Sequence, residues 1–143
     1  MRKSKINISG FKIGTAENKD GLTGVTVILA PDGGATAGVD VRGCAPGTRE
    51  TDLLDPRKTV QKIHAVVLSG GSAFGLEAAS GCVKYLAEQG VGFPIGNVCV
   101  PIVCSAVLFD LMIGDEKAYP DLLMGYEAVS YTHLRAHETV LDL

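Results

Sequence analysis

The chain has 143 residues, 46% of them hydrophobic, with 13 Lys and Arg against 16 Asp and Glu for a net charge of −3. That length suits one domain, the acidic balance excludes a nucleic-acid or polybasic membrane surface, and no apolar run nears the roughly 18 residues of a membrane span. So apolar a composition in so small a chain predicts either a large core or an apolar surface that a partner covers.

The start, MRKSKINISG, is basic but lacks the apolar stretch of a secretory leader, and the chain reads as cytoplasmic. From Ile6 to Gly14 the pattern alternates weakly, with Ile6, Ile8, Phe11 and Ile13 inward, which predicts a short strand pair or a sheet edge. Glu17 to Gly21 is polar and reads as loop. Val25 to Ala30 is a near-continuous apolar strand that stops at Pro31-Asp32-Gly33-Gly34, a strong turn signal. Ala35 to Val41 then reads as the returning strand, so residues 24–41 are expected to form a hairpin in an antiparallel sheet.

Arg42 to Pro56 changes character, with two Gly, two Pro and no period. It fits a solvated loop first, and otherwise the wall of a site. In the second case Arg42 and Arg49 can hold a carboxylate, while Glu50, Asp52 and Asp55 can hold an amine. Thr59 to Lys62 is a short link. His64, alone beside an apolar strand, is expected to be a hydrogen-bonded structural residue.

The centre of the chain is VVLSGGSAFGLEAA, residues 66–79. Ala65 to Leu68 predicts a buried strand, Ser69 to Ser72 a tight turn, and the run beyond it a helix. Phe74, Ala78, Cys82 and Tyr85 or Leu86 share one helical face, with Glu77, Lys84 and Glu88 opposite. Ser72 is the expected N-cap, and Gly70 and Gly71 permit a sharp bend and close approach of another group. A strand, a glycine turn and a helix N-terminus together suit an anion or oxyanion. Known motifs do not fit. Phe74 stands where a nucleophile elbow needs glycine, adjacent rather than alternating glycines exclude the dinucleotide fingerprint, and Leu76 replaces the phosphate-loop lysine. A tight connection without chemistry therefore stays open.

Gly90-Val91-Gly92 ends the helix. Phe93 to Leu111, interrupted by Pro94 and Pro101, predicts short strands and a close-packed loop; Asp110 and a turn at Gly114-Asp115-Glu116 follow, and Tyr119 to Ala128 can start a second helix. Cys44, Cys82, Cys99 and Cys104 lie among apolar or glycine neighbours without paired spacing, which predicts buried free thiols rather than a metal site or disulfides.

The ordered series GLTGVTVIL, AGVDVRGCAPGTRETDLLDP, HAVVLSGGSAFGLEAASG, GFPIG, VPIV and AVLFDL resembles the N-terminal half of the L-aminopeptidase/D-esterase family. These are self-cleaving hydrolases related to β-peptidyl aminopeptidases and nylon-oligomer hydrolases. The resemblance runs from about Ile6 to Ala128. It implies an α/β (α+β) fold, half of a four-layer αββα sandwich with a mostly antiparallel sheet and a central glycine-turn helix. It further implies a precursor that cuts itself, exposing an N-terminal Ser or Thr nucleophile whose own α-amine is the base. The substrate is a peptide or an amino-acid amide or ester. No metal or organic cofactor is implied, and the active particle is an oligomer.

Family members are about twice as long, and the self-cleavage site falls in the half not represented here. No catalytic residue is therefore assigned. Gly70, Gly71 and Ser72 are carried over as walls of the substrate site, with Arg49 beside them, and the C-terminal half (β-chain) is the expected partner. Residues 1–128 are expected to be the N-terminal (α-chain) part of the peptidase domain. Residues 129–143 are expected to be foreign, because VSYTHLRAHET resembles translated read-through of a transposon-type sequencing adapter. His133 and His137, with Glu138, mimic a helical metal pair but are assigned no metal. Any helix drawn past Ala128 is expected to stand isolated and exposed. Two other functions fit the residues: an anion-binding module using the Gly70–Ser72 turn, and a structural subunit with a separately encoded partner.

Overall fold

The computed structural model describes residues 8–138, and of 133–138 only the helical backbone. Among the described residues the strands are β1 (Lys12–Asn18), β2 (Thr23–Leu29), β3 (Thr48–Arg49), β4 (Ala65–Ser69), β5 (Phe93–Ile95), β6 (Val98–Val100) and β7 (Val103–Val107). The helices are α1 (Ala78–Glu88) and α2 (Leu122–Glu138), with 3-10 turns at Asp52–Leu54 and Ser72–Glu77. One sheet runs β1-β2-β4-β7-β3; its pairs are antiparallel except β4 with β7, and β5 and β6 form a separate ribbon. The fold is α/β with a mostly antiparallel sheet, as the family resemblance implies.

Period two builds the core. Val25, Val27 and Leu29 of β2 face the same side as Ala65 and Val67 of β4 and Val103 of β7, and α1 and α2 cover that side. Ala78, Cys82 and Leu86 are buried on one face of α1, while Lys84 and Glu88 form an exposed ion pair on the other. Phe74, expected on the buried face, is 57% exposed and stacks on Tyr119 with ring centroids 4.4 Å apart. The α-helix starts at Ala78, because Ser72–Glu77 winds as a 3-10 turn. Ser72 therefore caps nothing: its φ is 53°, and Gly71 precedes the 3-10 turn without a side-chain cap.

Three backbone approaches fix the helices. A Cβ on Gly81 would overlap the Leu122 carbonyl oxygen, and one on Gly125 the Ala78 carbonyl oxygen, so α1 and α2 touch main chain to main chain. A Cβ on Gly14 of β1 would overlap the Ala128 carbonyl oxygen. The last contact corrects the phase of the first strand. Gly14, not Ile13, faces α2, and Ile8, Phe11 and Ile13 are exposed at 59%, 40% and 53%. β1 is the expected sheet edge, but it includes Glu17 and Asn18, where a loop is expected; Ile6 lies outside the described residues.

The expected hairpin over 24–41 does not form. β2 pairs with β1 and β4, and beyond an isolated Ala35–Ile63 bridge residues 36–42 join no strand. Helix α2 runs on past Ala128 and buries Val129 and Thr132, so the expectation of an isolated helix does not hold through Thr132. The side chains of His133 and His137 lie outside the described residues. Cys82 and Cys104 are buried free thiols, but Cys44 and Cys99 are free and exposed. Burial pushes the Cys82 thiol up to about 12 and, with the Glu50 charge, Cys104 up to about 11.

His64 is structural. Its amide donates to the Ile102 carbonyl oxygen (2.8 Å), its carbonyl accepts from Ala30 (2.9 Å), and its buried Nδ1 accepts from the Ile102 amide (3.0 Å). Burial lowers its pKa below 6.5, and a proton on Nδ1 would also break the Ile102 bond. The folded state thus binds the proton less readily than the unfolded one. This contribution to stability is complete above pH 6.5 and is lost as pH falls through the lowered value. The melting temperature should fall between pH 7 and pH 5, and more steeply than in His64→Asn; equal slopes would remove His64 from the account.

Candidate functional site

The C-terminal ends of β4 and β7 lie side by side because these strands are parallel neighbours, with Ser69 in register with Val107. The glycine turn leaves β4 there, and the loop carrying Asp110 leaves β7. Gly71 has φ +82°, a left-handed conformation suited to glycine. A Cβ at Gly71 would also stand 2.6 Å from the Cβ of Tyr119. Backbone flexibility and close approach are thus both used at this turn, as its sequence predicts.

The turn does hold an anion, but it is the protein's own. The Gly71 amide donates to Asp110 Oδ1 at 2.6 Å, and the Thr23 hydroxyl donates to Asp110 Oδ2 at 2.8 Å. The Gly70 amide donates to the Gly24 carbonyl oxygen (2.9 Å), and the Ser72 amide to the Leu108 carbonyl oxygen (2.8 Å). The amides of Gly70, Gly71 and Ser72 are therefore all committed. A Cβ on Gly70 would overlap both the Asp110 carboxylate and the Thr23 hydroxyl, which explains the first glycine of the pair. Gly70, Asp110, Thr23, Asn18 and Leu108 border an open cleft of about 840 Å³.

Arg49 is not among the residues that border this cleft. It lies opposite Ser105 in the β3–β7 pair, and its Nη1 donates to Ser80 Oγ on α1 at 2.6 Å. The other charged residues of its loop pair locally rather than converge. Arg42 Nε donates to Asp40 (2.6 Å), and the guanidinium of Arg57 holds the Asp55 carboxyl down to about 2. Glu50 is exposed at φ 60°, and Asp52 opens a 3-10 turn. A second cavity of about 310 Å³ lies on the sheet face away from the helices, lined by Val39, Val41, Thr48, Val66, Cys104 and Ala106.

Asp110 is the residue that sequence reasoning passed over as a site member. Its signal is long-range: nothing in VLFDL says that β7 ends beside the glycine turn. Asp110→Ala should leave the Gly71 amide and the Thr23 hydroxyl without their acceptor and destabilise the chain by about 1.5–3 kcal/mol. Asp110→Asn should recover much of this by keeping one acceptor oxygen. Urea melts of the two variants check this; equal midpoints for Asp110→Ala and the parent would refute the clamp.

The model of peptidase family S58 matches residues 5–123. An uncharacterized aminopeptidase of Mycobacterium leprae is 45% identical over 130 residues, which cover 85% of this chain and 36% of that protein. An uncharacterized aminopeptidase of Mycobacterium tuberculosis is 50% identical over 105 residues, 73% of this chain and 30% of its own. A 6-aminohexanoate-oligomer endohydrolase of a Kocuria species is 33% identical over 127 residues, 89% of this chain and 33% of its own. The chain thus spans about a third of the length of these curated relatives. No helix among the described residues is long and apolar enough to cross a membrane.

Proposed function

The chain belongs to peptidase family S58, and from that membership we propose that it is the N-terminal portion of a self-processing aminopeptidase or esterase. One observation carries the reading: a family match over residues 5–123 to relatives that are named aminopeptidase or oligomer hydrolase and are about three times the matched length. In this reading a Ser or Thr freed at the start of the C-terminal part attacks the substrate carbonyl, with its α-amine taking the hydroxyl proton. The bond to the leaving amine or alcohol breaks, and water then releases the acyl group. The substrate is a peptide or an amino-acid amide or ester.

Residues 1–128 supply the scaffold and part of the wall. Gly70, Gly71 and Ser72 contribute a shaped surface rather than oxyanion donors, because their amides are already bonded. Arg49 braces β3 against α1 through Ser80. Residues 129–143 are read as foreign to the family, whose match ends at residue 123. Homo-oligomer assembly and a cytoplasmic location complete the reading, the latter in keeping with four free cysteines. A stand-alone anion-binding module is the weaker alternative, since Asp110 already occupies the turn.

The test is to recover the longer gene and express its product. The expected result is two chains by mass spectrometry, the second beginning with Ser or Thr. Hydrolysis of an aminoacyl p-nitroanilide should be abolished when that residue is changed to Ala. A single uncut chain without turnover would refute the proposal.

A further inference from the structure

His64 stands just before β4, at the end of that strand away from the glycine turn, and five residues at about 3.3 Å each put it roughly 17 Å from Ser69. Burial keeps its ring neutral at pH 7. Its Nδ1 accepts from the Ile102 amide, so the ring proton sits on Nε2. That N–H has no partner among the described residues, although His64 is only 7% exposed. Among the described residues Ser105 Oγ is the one side-chain polar atom both enclosed and without a partner. Nε2 of His64 is therefore not sealed in. It opens on two adjoining cavities, of about 480 and 400 Å³, which His64 lines together with Gly33 and Gly92. Leu29, Leu86 and Val91 form apolar wall in the first, Lys12 and Asp32 border it, and Lys62 borders the second. Lys12, Asp32 and Lys62 are exposed and enter no ion pair among the described residues.

We propose that these two cavities bind a free amino acid with an apolar side chain. A fixed, nearly buried donor without an acceptor favours a ligand that brings one, and a carboxylate makes the strongest such bond. The ligand carboxylate accepts the Nε2 proton of His64 and is neutralised by Lys62, while the ammonium group faces Asp32. The side chain lies against Leu29, Leu86 and Val91. Inorganic phosphate fits less well, because Asp32 repels a dianion and the wall beside it is apolar. Each cavity, at about 480 and 400 Å³, falls within the roughly 300–1,000 Å³ of small-molecule sites. The site stands whether or not the chain is part of a hydrolase, since the glycine turn is at the other end of β4.

Calorimetric titration of residues 1–143 with L-leucine, L-leucinamide and 4-methylpentanoate tests the assignment. Leucine should saturate with a Kd of about 1 mM or below. Leucinamide, which lacks the carboxylate, should bind at least about tenfold more weakly, and 4-methylpentanoate, which lacks the ammonium group, about threefold more weakly. His64→Asn keeps an acceptor for the Ile102 amide but removes the donor on Nε2, so it should weaken leucine about tenfold. Asp32→Asn, on an exposed turn, should bring leucine down to the affinity of 4-methylpentanoate. Leucinamide or 4-methylpentanoate binding as tightly as leucine, parent-like affinity in His64→Asn, or no saturable binding of leucine would each overturn the proposal. The same titration on the product of the longer gene gives the answer if the shorter chain does not fold. Binding by the short chain that is lost in the longer product also overturns it, because the protein's own chain then fills the cavities. Leucine binding, sensitive to His64→Asn, in a longer product that neither cuts itself nor hydrolyses an aminoacyl p-nitroanilide leaves the site standing and refutes only the proposed function.

Discussion

Residues 1–143, purified alone, are expected to hydrolyse neither aminoacyl p-nitroanilides nor aminoacyl esters above the buffer rate. Enzymes accelerate reactions by roughly 10⁶-fold or more, so if the nucleophile lies in the C-terminal part, as proposed, its loss should be total rather than graded. The hydroxyls nearest the glycine turn do not replace it. Thr23 spends its proton on Asp110, and the other oxygen of Asp110 is held by the Gly71 amide. Ser72 stands half-buried at φ 53° with its amide tied to Leu108. Turnover that copurifies with the chain and disappears in Ser72→Ala or Thr23→Val would overturn the expectation and place a nucleophile within these residues.

The largest stability effect is expected at Gly81. Intrinsic helix propensity favours Ala over Gly by about 1 kcal/mol in a helix interior. At Gly81 the sign should reverse, since any Cβ overlaps the Leu122 carbonyl oxygen and the neighbour is main chain that has no rotamer to change. Pushing α2 away also loosens Gly125 on Ala78 and withdraws Ala128 and Val129 from the core. Gly81→Val should therefore cost about 3–5 kcal/mol, a large part of the roughly 5–15 kcal/mol that holds a domain together. Gly38→Ala is the control, because a Cβ there meets nothing. Thermal melts should show Gly81→Val losing its cooperative transition or melting far below Gly38→Ala. A Gly81→Ala variant more stable than the parent would show that the helices do not touch at this point.

Much of the centre of the molecule was legible without coordinates. The strand Ala65–Ser69, the bend at Gly70-Gly71 and the buried face Ala78, Cys82 and Leu86 follow from local pattern. So does the structural role of His64, which a lone histidine beside an apolar strand suggests. The first strand was misphased because hydrophobicity alone puts Ile13 inside, whereas α2 approaches β1 so closely that glycine is what fits. The hairpin over 24–41 failed for a different reason. Its second strand has the pattern but no neighbour among the described residues, and a strand is a property of a pair.

The sequence by itself determined the glycine turn, written in contiguous residues, and the family resemblance, which in turn implies the mostly antiparallel α/β class. Only the tertiary structure decided what the turn holds. The parallel pairing of β4 with β7 brings Asp110 to Gly71 across 39 positions of chain, and that carboxylate takes the Gly71 amide. Periodicity says which residues share a face. It does not say which element covers that face or how near it comes, because those depend on contacts between segments that carry no local trace of one another.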